Sequence, residues 1–187
     1  MSLSNSKIQP NILILIPIII AFGIVMRLLP HSPNFTPIGA IALWSGLYLP
    51  KRYAFIVAIS AMLFSDIILG FYSLSIMTSV YISWIIMTSL GVISKNKAHA
   101  VLSIFAGSIF FFLITNFAVW IFGSLYPVTF DGLLTSYVNA LPFFRNSLSA
   151  NLIYGLSLIA ITEYSTQLSF AIKTNLITKS ALSPKTE

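Results

Sequence analysis

Cysteine is absent from this 187-residue chain, so it holds no disulfide, no thiolate metal site and no cysteine nucleophile, and its redox compartment is unreadable. Acids are almost absent as well, with Asp66, Asp131, Glu163 and Glu187 the only four. That is too few for the acidic clusters that metal-dependent lipid phosphotransferases need. The only histidines, His31 and His99, fall in expected loops. A serine and histidine intramembrane protease needs its histidine on a helix facing the serine, so that class is set aside. No GxxxxGK[ST] loop is present, which removes nucleotide hydrolysis by that route. The chain reads as a non-enzyme with no cofactor and no metal.

Charge in general is scarce: 7% of residues are charged and 57% are hydrophobic, with mean hydropathy +0.94. A soluble domain carries about 25% charged residues, so the composition is that of an integral membrane protein. The net charge of +6 does not point to nucleic acid, because the basic residues sit between hydrophobic runs. The topology rule for cytoplasmic loops accounts for them better.

Those runs define six expected spans, making an all-α integral membrane bundle of six transmembrane helices. Residues 11–29 form the first, with Pro17 inside it. It follows Lys7 as a signal peptide would, but lacks a small-residue cleavage site and is read as retained. Residues 37–49 form a second, about 20 Å long at 1.5 Å per residue and so short of the roughly 30 Å hydrocarbon core. It is either a short crossing or a broken helix. Residues 53–70, 74–93 and 100–122 form the third to fifth, and residues 147–171 the sixth. Between the last two, Leu133, Leu134, Tyr137, Val138 and Leu141 recur at helical spacing. They predict a short interfacial or re-entrant helix ended by Pro142. The expected division is an N-terminal tail at 1–10, a transmembrane domain at 11–171 and a polar, mobile C-terminal tail at 172–187.

Alternating the loops between two sides puts Lys7, Lys51, Arg52, Lys95, Lys97, Lys173, Lys179 and Lys185 on one, and only Arg27 and Arg145 on the other. Eight against two places both termini in the cytoplasm. The remaining polar residues then gather at the outer face: Arg27, His31, Asn34, Thr36, Asp66, Asn116, Trp120, Asp131, Asn139, Arg145, Asn146 and Asn151. They come from at least four segments, and ionisable groups are costly in a bilayer. The expectation is an outward-facing polar pocket roofed by residues 30–36, 71–73 and 123–146.

Bland readings stand beside this one. An arginine near a helix end also snorkels to headgroups, and an aspartate in a span also pairs with a nearby arginine to hold helices together. His31, between two prolines, reads as a loop residue and His99 as part of a solvated turn. Trp44, Trp84 and Trp120 read as packing and interfacial belt. Glu163, inside the sixth span, is either a helix-pairing group or a proton relay, and pairing is the simpler. Gly39, Ala40, Ala42, Gly46, Ala54, Ala58 and Ala61 make small-residue faces that either seal helices within the chain or offer a flat surface to a partner.

The phrases RLLPHSPNFTPIGAIALWSG and ALPFFRNSLSANLIYG, joined by SDIILGFY and NFAVWIFGSLYP, resemble the pattern of an uncharacterised family of small bacterial membrane proteins from Arg27 to Gly155. That family is itself similar to the substrate-binding S components of energy-coupling factor (ECF) vitamin transporters. The resemblance implies an S-component-like six-helix fold in a bacterial inner membrane, whose outer loops hold a vitamin-like solute. It also implies a transmembrane coupling subunit with ATPases as partner, and toppling in the bilayer to release the cargo. The matching positions Arg27, Asn34, Asp66, Asn116, Arg145 and Asn146 are the candidate substrate-binding residues. One departure is that the first span offers only Ala21 and Gly23 where S components carry an alanine-spaced coupling motif.

The leading expectation is therefore uptake of a small polar or anionic solute bound at the outer face, the anionic group being suggested by two arginines whose guanidinium forks match carboxylate or phosphate. The alternative is a membrane scaffold or assembly protein whose polar groups pair with one another around no cavity. An intramembrane enzyme requires Asp66 and His31 within hydrogen-bond reach in an accessible pocket.

Overall fold

In the computed structural model, which describes residues 10–182, the chain forms six helices, and no strand occurs among the described residues. These are α1 (Pro10–Leu28), α2 (Ile38–Tyr48), α3 (Lys51–Leu69), α4 (Leu74–Ile93), α5 (Lys97–Phe122) and α6 (Phe130–Leu182). Lys7 and Lys185 of the charge count, the tail at 1–9 and the last five residues lie outside the described residues, as do the side chains of Lys173 and Lys179. By length and composition α3, α4 and α5 can each cross a membrane, while α1 and α2 contribute shorter apolar stretches, Leu15–Leu28 and Ile38–Tyr48. Large apolar side chains point outward all along these helices, among them Ile56, Ile68, Leu102, Phe117 and Ile161. So much exposed hydrocarbon is what a lipid-facing surface carries and a water-facing one avoids.

The shortest helix is the centre of the molecule. Every residue of α2 except Leu47 is buried, and it packs on α3, α4, α5 and α6, with α1 touching it more lightly. Trp44, fully buried, donates from Nε1 to Thr162 Oγ1 of α6 at 2.8 Å, which satisfies its one polar atom. Its small residues explain how four helices fit around it. A Cβ on Gly46 would strike the Thr88 carbonyl oxygen, and one on Gly91 of α4 would strike that of Leu43, so each glycine lets the two backbones meet. From α3, Ala54, Ala58 and Ala61 are fully buried against the same core. The small-residue faces therefore seal helices within the chain.

Three expectations change. The stretch before Pro142 is not a separate helix: α6 runs without a break from Phe130 to Leu182. Thr129 starts it by accepting from the Gly132 amide at 3.1 Å, and Asp131 sits in the first turn, where the helix dipole favours an acid. Pro142 is exposed and removes a single backbone donor, a defect that a long helix absorbs. The expected tail from residue 172 is helical to Leu182. His99 also lies not in a turn but in the first turn of α5, where its amide is capped by Asn96 Oδ1 at 2.9 Å.

Candidate functional site

At one end of the bundle the helices part around a cavity of about 390 Å³. Its walls come from Arg27 on α1, from His31, Asn34 and Thr36 in the connection to α2, and from Ile38 at the start of α2. Met62 and Leu69 of α3, Tyr72 of the α3–α4 turn, Val80 and Trp84 of α4, Phe111 of α5, and Ser147 and Asn151 of α6 complete them. Every helix contributes, which is why no single segment of sequence looks like a site.

Arg27 is anchored rather than free. Its Nη1 lies 2.6 Å from Asp66 Oδ1 and donates to Ser65 Oγ at 2.6 Å and to the Met62 carbonyl at 3.2 Å, all on α3. Asp66 is 1% exposed, and the Tyr81 hydroxyl of α4 donates to its Oδ2 at 2.9 Å. Its Oδ1 touches Nη1 as an ion pair but receives no aligned hydrogen bond from any group. Three helices, α1, α3 and α4, are thus tied through one carboxylate. These contacts of the guanidinium all use Nη1, and Arg27 also lines the cavity, with Nε and Nη2 as its further donors.

The α1–α2 connection is shaped by short-range chemistry. Phe35 N donates to the Ser32 carbonyl at 2.9 Å, closing a turn in which Asn34 adopts a left-handed backbone with φ of 62°, a conformation asparagine tolerates better than most residues. Asn146 of α6 holds this turn by donating from Nδ2 to the Pro33 carbonyl at 3.0 Å. Tyr154 packs edge-on against Phe35 and Phe22, with ring centroids 5.8 and 6.0 Å apart. His31 faces inward to backbone: its Nδ1 lies 2.9 Å from the Ser32 carbonyl and its Nε2 3.2 Å from that of Arg27. Asp66 is held by Arg27 and Tyr81, and the ring nitrogens of His31 face these two carbonyls.

Behind Ile38, Gly39 lets α4 and α6 close on α2, since a Cβ there would strike Asn151 Oδ1 and come within 2.9 Å of the Trp84 ring. Asn151 donates to Ser108 Oγ of α5 at 3.0 Å. Trp84 stacks on Phe111 with centroids 4.4 Å apart and planes 21° from parallel, and its buried Nε1 has no acceptor. In the turn after α3, where Gly70 takes a φ of 96°, burial and the nearby Asp66 charge push the Tyr72 phenol up to about 12, partly opposed by Arg27.

Of the six candidate residues, Arg27 and Asn34 line the cavity, Asp66 holds Arg27, and Asn146 holds the turn carrying Asn34. Asn116 and Arg145 are not brought to it: Asn116 bonds its own helix at the Phe112 carbonyl at 2.7 Å, and Arg145 is exposed. Nor does the 123–146 stretch roof the cavity; Trp120 and Tyr137 bond the Pro127 and Leu113 carbonyls instead. Tyr72 comes from the 71–73 stretch expected as roof, whereas Trp84 and Phe111, read as packing, and Val80, not singled out, are wall residues that only the structure identifies. The signal that marks them is the small residue opposite, Gly39 for Trp84.

Polar pairing also joins helices at the opposite end. There Glu163 of α6 lies 3.1 Å from Lys97 Nζ of α5 and accepts from the Tyr48 hydroxyl of α2 at 3.1 Å, so it pairs helices.

Together these features define a helical protein in which three helices are long and apolar enough to cross a membrane and a cavity opens at one end of the bundle. The pattern of DUF6580, a family of unknown function, matches residues 6–173, and the chain belongs to that family. No curated protein and no solved structure matches it.

Proposed function

We propose that this protein is a six-span inner-membrane solute-binding protein of the ECF S-component kind, taking up a small, vitamin-like polar molecule through the cavity beside Arg27. The observation that carries the reading is that cavity: about 390 Å³, within the 300–1,000 Å³ range of small-molecule sites, mostly apolar with a few converging polar groups. The span count is supported by the burial of α2, which makes its shortness compatible with a bilayer because neighbouring helices surround it. The proposed sidedness, with the end away from the cavity in the cytoplasm, is supported by Lys51, Arg52, Lys95 and Lys97, which lie at that end as the excess of basic residues in cytoplasmic loops requires. A transmembrane coupling subunit with ATPases would dock there.

The test is purification in nanodiscs followed by mass spectrometry of bound small molecules and partner subunits, with thermal shifts across a vitamin and precursor library. A bound solute whose shift disappears in Arg27→Ala is the expected result; no solute and no shift would sink the reading. One observation favours a second reading, a membrane scaffold: Arg27, Ser65, Asp66 and Tyr81 pair with one another without any ligand. In that case the same variant loses stability and no solute is found.

A further inference from the structure

We infer that the cavity is built for a ligand without net charge whose polar group accepts and donates hydrogen bonds, as a carboxamide does, and that Trp84 and the Arg27–Asp66 pair set this preference. The inference rests on the solute-binding reading above.

Charge bookkeeping comes first. Arg27 is the one arginine at the wall, and Asp66, 1% exposed and 2.6 Å away, already matches it. The second arginine that sequence alone offers to an anion, Arg145, is exposed and away from the cavity. His31 is turned to the Ser32 and Arg27 carbonyls, and Asp131 lies off the wall near the start of α6. The local sum over the arginine and the acid is zero. An anionic ligand accepting from the remaining guanidinium donors would set a second negative charge beside Asp66, to be shared by one arginine, and like charges that close disfavour each other. A cationic ligand would meet the guanidinium at the wall.

The unsatisfied groups come second. Among the described residues the one wall atom that is buried and without a hydrogen-bond partner is the donor Trp84 Nε1; Asp66 Oδ1, behind the wall, is already paired with Arg27 Nη1 at 2.6 Å. Buried polar groups without partners are rare and call for a cause. Trp84 Nε1 calls for an acceptor on the ligand, while the side-chain carbonyl oxygens of Asn34 and Asn151 on the wall can take a donor from it. A carboxylate accepts but cannot donate, and an amidinium donates but cannot accept, whereas an amide does both. Asn34, Ser147 and Asn151 add neutral polar groups and no further charge to the wall.

The experiment uses three isosteres of different charge, benzamide, benzoate and benzamidinium, titrated calorimetrically into the full chain in nanodiscs, with empty nanodiscs as the blank. Benzamide is expected to bind best, by about tenfold or more, the ratio that one hydrogen bond to a charged or buried partner is worth. In Trp84→Phe, which keeps the ring against Phe111 and removes Nε1, benzamide binding should fall about tenfold while the protein's thermal midpoint stays nearly unchanged. In Asp66→Asn, which releases Arg27, benzoate should overtake benzamide. If benzoate or benzamidinium binds the wild-type chain as tightly as benzamide, the inference is overturned and the binding reading survives. Binding by none of the three overturns the inference, and only the broader solute search then decides the binding reading.

Discussion

At the cavity end Asp66 is 1% exposed and faces Arg27 at 2.6 Å; at the other end Glu163 is 20% exposed and faces Lys97, itself 57% exposed, at 3.1 Å. Both acids also accept a tyrosine hydroxyl, from Tyr81 and Tyr48 respectively. The partners are alike in chemistry, and solvent separates their consequences. Water screens the Lys97–Glu163 pair, so it holds α5 and α6 weakly and can open at little cost. Arg27–Asp66 is sealed between α1, α3 and α4, where removing one partner strands the other, and it stands beside empty space rather than packed side chains. An ion pair that opens easily is a surface fastening, whereas one that cannot open sets the charge of whatever lies next to it.

The comparison breaks most sharply at Arg27. Arg27→Met should destabilise the protein by roughly 3–5 kcal/mol, the usual effect of leaving a buried charge unpaired, measured by denaturant unfolding in detergent. A loss under about 1 kcal/mol would mean that water reaches Asp66 and that the two ends are equivalent. Next in size is Gly39→Ala, whose methyl would collide with Asn151 and crowd Trp84. Overpacking of this kind costs about 1–3 kcal/mol, and the variant should also lose solute binding, since both displaced side chains are cavity walls. Lys97→Ala, at the opposite end, should cost only about 0.2–1 kcal/mol and leave binding alone. Smallest is the effect of Tyr72→Phe on alkaline titration. With its phenol raised to about 12, Tyr72 remains a neutral donor throughout the physiological range. Its contribution is fully present below pH 10 and is lost as pH rises through about 12, so absorbance of tyrosinate should differ between variant and wild type only above about pH 11. A difference near pH 10 would show that Tyr72 is solvated like a surface tyrosine.

Hydrophobic run length placed α1 to α5 within a few residues, because the alternation of apolar runs with basic or proline-marked breaks is local information. It fails at Pro142, because a proline in a helical pattern reads locally as a helix end, while whether one lost backbone hydrogen bond stops a helix depends on the packing on either side. It also passed over Trp84 and Phe111. In a chain that is 57% hydrophobic, one more aromatic has no contrast with its surroundings, and only its neighbours distinguish a cavity wall from packing. Polar residues do stand out against hydrocarbon, and so Arg27, Asn34, Asp66 and Asn146 were all marked in advance. The same contrast marked Asn116 and Arg145, which the fold leaves elsewhere.

By itself, then, the sequence determined a helical membrane-type chain, the approximate helix limits, and the residues too costly to bury without a partner. Tertiary structure decided that the shortest helix is the core, that Arg27 belongs to Asp66, and that all six helices share the walls of one opening. The physical reason is that helix formation and hydrophobicity are read over neighbouring residues. Charge pairing, close approach at glycine and the shape of a cavity depend on side chains brought together from positions as far apart as Arg27 and Asn151.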